Sequence, residues 1–381
     1  MSRHHRSGRL VAAGAASLLL AVTGGVTAAA HGESHGGPTV IASGLNSPRQ
    51  LAFTPGGDLY VTEAGTTGTP GGDTCQQSPE FGEVCFGFTG SLSKIKRGGG
   101  FVRVLEGLPS VGTADEPLGP GSIAFTGNHK FALTIGLGGS PEYRDGFGPD
   151  ANLLGTVLTG DLRHLDGLES LSLAFDAAAF EAKANPDGTD IDSNPVGIAK
   201  SGNGWVVADA GGNSVVSTRK GGSTVATFAP VPTTQAVEIP FPPFTLPAGF
   251  PADAVPTDVV KGPDGAWYVS QLVGFPFEQG SSTIWRVVPG QQPTAWATGL
   301  TNVTSLAFAS DGTLYAVEIA SNGLLQGPIG SLVKVHPHSS THTVVAGGLF
   351  APYGVAIRGH DAYVTTGSVV AGGGQVIRIH L

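Results

Sequence analysis

SPRQLAFTPGGDLYVTEAG, residues 47–65, reads as two short apolar strands around a Gly-Gly-Asp turn, and variants of it recur along the chain. The others are GPGSIAFTGNHKFALTIGL from 119, NPVGIAKSGNGWVVADAGG from 194, VPTDVVKGPDGAWYVSQLV from 255, NVTSLAFASDGTLYAVEIA from 302 and APYGVAIRGHDAYVTTGS from 351. Each copy is an apolar strand, a turn built on Gly, Asp or Asn, and an aromatic and β-branched strand, which is hairpin chemistry. Pro48, Pro120, Pro195, Pro256 and Pro352 share one position, with Val303 in the remaining copy. A proline donates no ladder hydrogen bond, so it suits the start of a strand.

A second strand pair follows each hairpin, most clearly in GSLSKIKRGGGFVRVLEGL (90–108), STIWRVVPGQQPTAWATGL (282–300) and GSLVKVHPHSSTHTVVAGGL (330–349). Four antiparallel strands repeated in six copies predict an all-β fold, a six-bladed β-propeller, with blades starting near 47, 119, 194, 255, 302 and 351. The last copy stops one strand short, at GGGQVIRIHL. The stretch TVIASGL from Thr39 matches the blade-ending TAWATGL at Thr294 and TVVAGGL at Thr343. The N-terminal strand is therefore expected to close the last blade, which leaves the ring no unpaired edge. Such a closed ring is expected to be a monomer.

Composition agrees. Gly is abundant, at 60 residues, and charged residues are sparse at 13%, but an apolar content of 40% separates the chain from disordered sequences. Residues 1–30 combine Arg3, Arg6 and Arg9 with an apolar run and end on Ala28-Ala29-Ala30, the pattern of a cleaved signal peptide. Residues 31–38 read as a flexible Gly-rich linker, with His31 and His35 solvated, and 39–381 as the propeller. No later stretch is long and apolar enough for a stable membrane span. A secreted, extracellular protein is expected. Its formal charge of −9 argues against nucleic acid as a partner. Cys75 and Cys85, the only cysteines, lie close together in an exported chain and predict a local disulfide.

In such a blade the connection between strands two and three and the crossover to the next blade lie on one face. All the long insertions fall there: 65–90, 136–153, 272–282, 321–330 and the Pro-rich run from Ala229. Loops of this length on one side of a rigid scaffold usually carry binding. Phe241, Phe244, Phe250, Phe275 and Phe277 make the face apolar; they are expected to pack the insertions onto the blades, the alternative being direct contact with a ligand. A helix is expected within LESLSLAFDAAAFEAKANPDG, from Leu168, with Leu171, Phe175, Ala178 and Phe180 on its apolar side.

Aligned copies put Glu63, Ile135, Asp209, Gln271, Glu318 and Thr366 at one position, the end of the second strand. The acids alternate around the ring. Glu63, Asp209 and Glu318, with Gln271, form a candidate oxygen ligand set for Ca²⁺ or another divalent metal. A metal there would be a Lewis acid for ester or lactone hydrolysis. The alternative is that each acid accepts hydrogen bonds from amides of its own Gly-rich turn. Asp258, inside a first strand, is open to either role. Asn185, Asp187, Asp190, Asp192 and Asn194 form an oxygen-rich cluster resembling a calcium loop but without the EF-hand spacing and its terminal Glu; a solvated, turn-rich loop is the expected reading and a calcium loop the alternative. His336, His338 and His342 crowd an outer turn and are expected to be solvated, and Glu142, Arg144 and Asp145 are either polar contacts or loop charges. The fingerprints of serine hydrolases, zinc peptidases, P-loop proteins and dinucleotide-binding folds are absent from the sequence.

LNSPRQLAFTPGGDLYVTEAG, IGLGG, FEAKANPDGTDIDSNPVGIA, ADAGGN, VPTDVVKGPDG, GFPF and EIASNGLLQGPIGSLVKV together resemble the ScyD/ScyE family over nearly the whole mature chain. The resemblance implies an exported propeller related to NHL-repeat proteins, without implying a reaction. Metal-dependent lactonases are similar only in propeller shape and in acids at the channel mouth. Two functions therefore stand: a ligand-binding or interaction module receiving a small molecule, glycan or protein on its loop-rich face, and a metal-dependent lactonase- or esterase-like hydrolase.

Overall fold

The computed structural model describes residues 37–78, 82–240 and 243–381; the expected signal peptide and most of the expected linker lie outside the described residues. Six antiparallel sheets follow the repeats. Blade one is built on Pro48–Phe53, Leu59–Glu63, Gly82–Ile95 and Phe101–Gly112, and Cys75–Ser78 and Pro117–Leu118 widen it to six strands. The other five sheets have four strands each. Their innermost strands are Pro120–Phe125, Pro195–Ser201, Pro256–Lys261, Val303–Phe308 and Val355–Arg358, and each packs beside the next until the last meets Pro48–Phe53. The chain is a six-bladed β-propeller.

The N-terminal strand Thr39–Leu45 pairs antiparallel with Gly374–His380, from Thr39 opposite Arg378 to Leu45 opposite Gly374. It is the outer strand of blade six, as expected from its match to the ends of blades four and five. The Cys75–Cys85 disulfide is present, between residues that face each other across the Cys75–Ser78 and Gly82–Ile95 pair.

The blades are apolar on both faces because each face is buried against a neighbour. Side chains alternate across a strand, so Trp205 and Val207 join the core between blades two and three while Val206 and Ala208 join that between three and four. The same division sends Leu314 and Ala316 toward blade four, and Tyr315 and Val317 toward blade six. The core is thus six inter-blade layers, one of which holds Ala42 and Leu45 of the closing strand against Leu51, Leu59 and Val61.

Hydroxyl groups latch the inner strands together. Thr62 Oγ1 donates to Gly121 O at 2.7 Å, Thr134 to Val196 O at 3.1 Å, Thr257 to Val303 O at 2.6 Å, Thr304 to Tyr353 O at 2.6 Å and Thr365 to Arg49 O at 2.8 Å. These bonds join blades one to two, two to three, four to five, five to six and six to one. Between blades three and four a glycine serves instead, since a Cβ on Gly197 would lie 2.7 Å from Asp258 Cα.

One expectation needs correcting. Residues 168–185 are not a continuous helix: Ser172–Asp176 is the fourth strand of blade two, with Thr156 opposite Asp176 and Val157 opposite Phe175. The helix is Ala177–Ala184, capped by Asp176 Oδ1 accepting from Ala179 N at 2.9 Å. The unfilled edge of blade two outweighs helix propensity in the five residues before the helix, the last of which is its cap.

Candidate functional site

The position at the end of the second strand is equivalent in space as well as in sequence. Pro48 pairs with Glu63, Pro120 with Ile135, Pro195 with Asp209, Pro256 with Gln271 and Val303 with Glu318. All three acids are buried. Glu63 accepts from Asn46 N at 2.6 Å and Ser91 Oγ at 2.9 Å, and also from Ser93 Oγ. Arg103 grips it with two nitrogens, at 2.8 and 3.1 Å. Asp209 accepts from Asn194 N at 2.6 Å, Ser193 Oγ at 2.7 Å and Gly212 N at 3.3 Å. Glu318 accepts from Thr301 N at 2.8 Å, Ser331 Oγ at 2.9 Å and Ser321 Oγ at 3.0 Å. In each blade the acid ties the segment entering the first strand to the end of the second.

The structure does not bring these acids into one coordination shell. Among the described residues, the one group of three Cys, His, Asp or Glu side chains with ligand atoms within 4.8 Å of one another is Cys75, Glu83 and Cys85, and its sulfurs form the disulfide. Gln271 is 1% exposed, and both polar atoms of its amide are buried without a hydrogen-bond partner.

A second polar constellation lies among the inner strands themselves. Gln50 Nε2 reaches from blade one to Thr304 O in blade five at 2.9 Å. Ser305 Oγ contacts Gln50 Oε1 at 2.7 Å and Asp258 Oδ2 at 3.2 Å, and accepts from Val355 N of blade six at 3.1 Å. Asp258 also accepts from Val259 N at 2.8 Å and Leu306 N at 2.9 Å. Burial pushes its carboxyl up to about 6, against the pull of the Leu306 and Val259 amides and Ser305. Beside this network the Arg49 guanidinium stacks 4.6 Å from the Tyr353 ring centre and donates to Pro117 O at 2.6 Å. Burial raises Glu116, in that same crossover, while Arg49 pulls it down. Asp258 thus joins blades four and five. The sequence reading named neither Gln50 nor Ser305. The signal was the second residue after each proline position, Gln50, Ser122, Gly197, Asp258, Ser305 and Gly354, which is small or polar within an otherwise apolar strand.

Aromatic residues of the insertions meet one another. Phe275 meets Phe250 at 6.2 Å and Phe277 at 6.3 Å, both edge to face. Phe244 is half-buried in the Val237–Pro240 and Pro243–Leu246 ribbon, and Phe241 lies outside the described residues. Arg144 is buried and pairs with Asp176 at 3.1 Å, so it is the polar contact of the two readings and fixes the second insertion to the helix cap. His336 and His342 stack in the outer turn of blade five, where His342 Nε2 lies 2.8 Å from Thr298 O.

Large apolar side chains remain exposed on the same face. Ile329 and Phe350 are 47% and 48% exposed and sit opposite each other at the strand ends of blade five. The Phe350 carbonyl accepts from Gly367 N at 2.8 Å, which ties in the blade-six loop carrying Val370, 38% exposed. Among the described residues a hollow of about 370 Å³ lies elsewhere, between Thr224–Thr227 on the outer strand of blade three and the turn Gly290–Pro293 of blade four. Its lining carries no acid.

No protein-family profile matches the chain, and no curated protein matches it in sequence. Among solved structures it is similar to a glucose dehydrogenase, at 13% identity and a TM-score of 0.49 over 91% of this chain and 100% of the other. It is also similar to virginiamycin B lyase from Staphylococcus aureus, at 10% identity and 0.44 over 90% and 98%. A chain in a nidogen/laminin complex matches at 12% and 0.43 over 74% and 84%. Identities this low carry no statement about activity or ligand.

Proposed function

We propose that the protein is an exported binding module of the ScyD/ScyE kind, which takes a peptide segment or protein surface on its insertion-bearing face. The observation that supports this is the exposure of three large apolar side chains, Ile329 and Phe350 opposite each other at strand ends of blade five and Val370 in the adjoining loop of blade six. Strand ends of a closed ring lose little freedom on binding, and large apolar side chains held this way are the anchors that dominate interface energies. The leader-like residues 1–30 and the disulfide support export.

A hydrolase built on a divalent ion shared by Glu63, Asp209 and Glu318 is less well supported, because each acid already serves donors of its own blade. The test is selection of a displayed random-peptide library on the purified mature chain. Counter-selection uses a variant with Ile329→Ser, Phe350→Ser and Val370→Ser. Enrichment of aromatic and aliphatic peptides that fail on the variant is the expected result. Enrichment of peptides indifferent to the three changes would overturn the proposal.

A further inference from the structure

The helix Ala177–Ala184 places a glutamate where no donor meets it. Glu181 is 0% exposed, and neither of its carboxylate oxygens has a hydrogen-bond partner. Unpaired buried carboxylates are rare, because the charged form loses its hydration with nothing in return. The charges acting on Glu181 are three more carboxylates, those of Asp209, Asp187 and Asp192. Repulsion among four acids therefore adds to the cost of burial.

The surroundings are shaped around these oxygens. A Cβ on Gly212 would lie 2.6 Å from Glu181 Oε2, and one on Gly211 would lie 2.7 Å from Asp192 Oδ1. The paired glycines of the turn after Asp209 thus leave room for two carboxylates that side chains would exclude. Asn185 caps the helix with a left-handed backbone and gives its Nδ2 to Thr189 O at 2.8 Å, which leaves Oδ1 buried and without a partner. Ser214, fully buried and opposite Asp209 in the blade-three ladder, also has an Oγ without a partner. Asp187 is held in place by Thr189 and by Asn213 Nδ2 at 3.0 Å.

We propose that this pocket, between the helix Ala177–Ala184, the 185–194 loop and the Gly211–Gly212 turn, is a calcium site with Glu181 as its central ligand. The donors are all hard oxygens, which suits Ca²⁺ over softer transition metals. No three of the carboxylates have oxygens within 4.8 Å of one another. The ion therefore takes one or two carboxylates, Glu181 with Asp192, and completes its shell with neutral oxygens such as Asn185 Oδ1. A spread shell of six to eight oxygens at about 2.3–2.6 Å is a calcium arrangement, whereas Mg²⁺ demands a tighter octahedron. Asp209 is the one member shared with the strand-end acids, and the site, at blades two and three, is separate from the apolar side chains of blades five and six invoked above. Its structural effect is to fasten the loop between blades two and three onto the hairpin of blade three.

The experiment uses the full mature chain, freed of metal with EDTA, exchanged into chelator-free buffer and titrated with CaCl₂ alone or MgCl₂ alone by calorimetry and thermal melting. The expected result is one Ca²⁺ bound per chain, with a melting point raised by on the order of 4 °C at a hundredfold excess over Kd and a smaller response to Mg²⁺. Glu181→Gln should weaken Ca²⁺ at least tenfold, and Asp190→Asn, which alters an exposed carboxylate of the same loop, should leave affinity unchanged. The metal-free Glu181→Gln chain should melt no lower than metal-free wild type, because it lacks the repelled charge; this separates lost binding from lost folding. A wild-type chain that takes up no Ca²⁺ would overturn the proposal, with Glu181 then a buried protonated acid. Wild-type affinity in folded Glu181→Gln would overturn it equally.

Discussion

Replacing Asp258 with asparagine should change how stability depends on pH, and the size of the change follows from the structure. The carboxyl is buried among the inner strands, and its folded value of about 6 compares with an ordinary 3.8. Between those values the folded chain keeps a proton that the unfolded chain has released, so stability falls as pH rises through this window. The loss is absent below the ordinary value and complete above the folded one. The gap corresponds to about 3 kcal/mol. Asparagine cannot ionise, and it keeps one acceptor for the Val259 and Leu306 amides that the carboxylate serves together. The amide left facing an NH₂ group costs about 1–3 kcal/mol, and that cost does not vary with pH. The informative quantity is therefore the difference between the two proteins as a function of pH. Urea unfolding followed by tryptophan fluorescence, from about pH 4 to about pH 8, should show wild type losing about 3 kcal/mol relative to Asp258→Asn. Curves that stay parallel within about 0.5 kcal/mol would refute the assignment of a buried, destabilised carboxylate between blades four and five.

Other perturbations test other parts of the ring. Leu45 is fully buried in the layer that closes blade six on blade one, so Leu45→Ala should cost about 3 kcal/mol and lower the melting point by about 4 °C. An unchanged melting point would mean that the N-terminal strand does not close the ring. Arg103→Met leaves the Glu63 carboxylate buried without its cation and should cost about 3 kcal/mol by denaturant unfolding. The double change with Glu63→Gln should recover part of that loss, and additive costs would argue against a coupled pair. Reducing the disulfide should release a loop constraint worth up to about 3 kcal/mol in the unfolded chain. Because the bond staples only the short Cys75–Ser78 strand, faster proteolysis should appear first near 66–88, and cleavage beginning elsewhere would contradict this.

Much of the fold was legible because a propeller writes its unit repeatedly. The hairpin in residues 47–65 would be ambiguous alone, but its recurrence, together with the match of Thr39–Leu45 to the ends of blades four and five, leaves one arrangement that closes. Ser172–Asp176 was misread because Leu171, Phe175 and Ala178 have helical spacing, and the need for a fourth strand in blade two is a tertiary demand. The equivalence of Glu63, Asp209 and Glu318 was visible in the alignment of copies, but convergence was not. Ring radius and local donors such as Asn46 N and Thr301 N decide that, and neither is written in the spacing. Glu181 drew no attention within an alanine-rich helix. Its burial comes from Gly211 and Gly212, some thirty positions later, and adjacent glycines following an acid were the available sign.

The binding role is tested most directly by the affinity of one library-selected peptide for three forms of the protein, measured by fluorescence anisotropy. These are the wild type, the Ile329, Phe350 and Val370 serine variant, and a variant with Val40→Ser, Leu173→Ser and Val344→Ser on exposed outer strands. We predict a loss of at least about tenfold in the first variant and less than about twofold in the second. Equal affinities for all three, or a loss confined to the outer-strand variant, would contradict a binding surface on the insertion-bearing face.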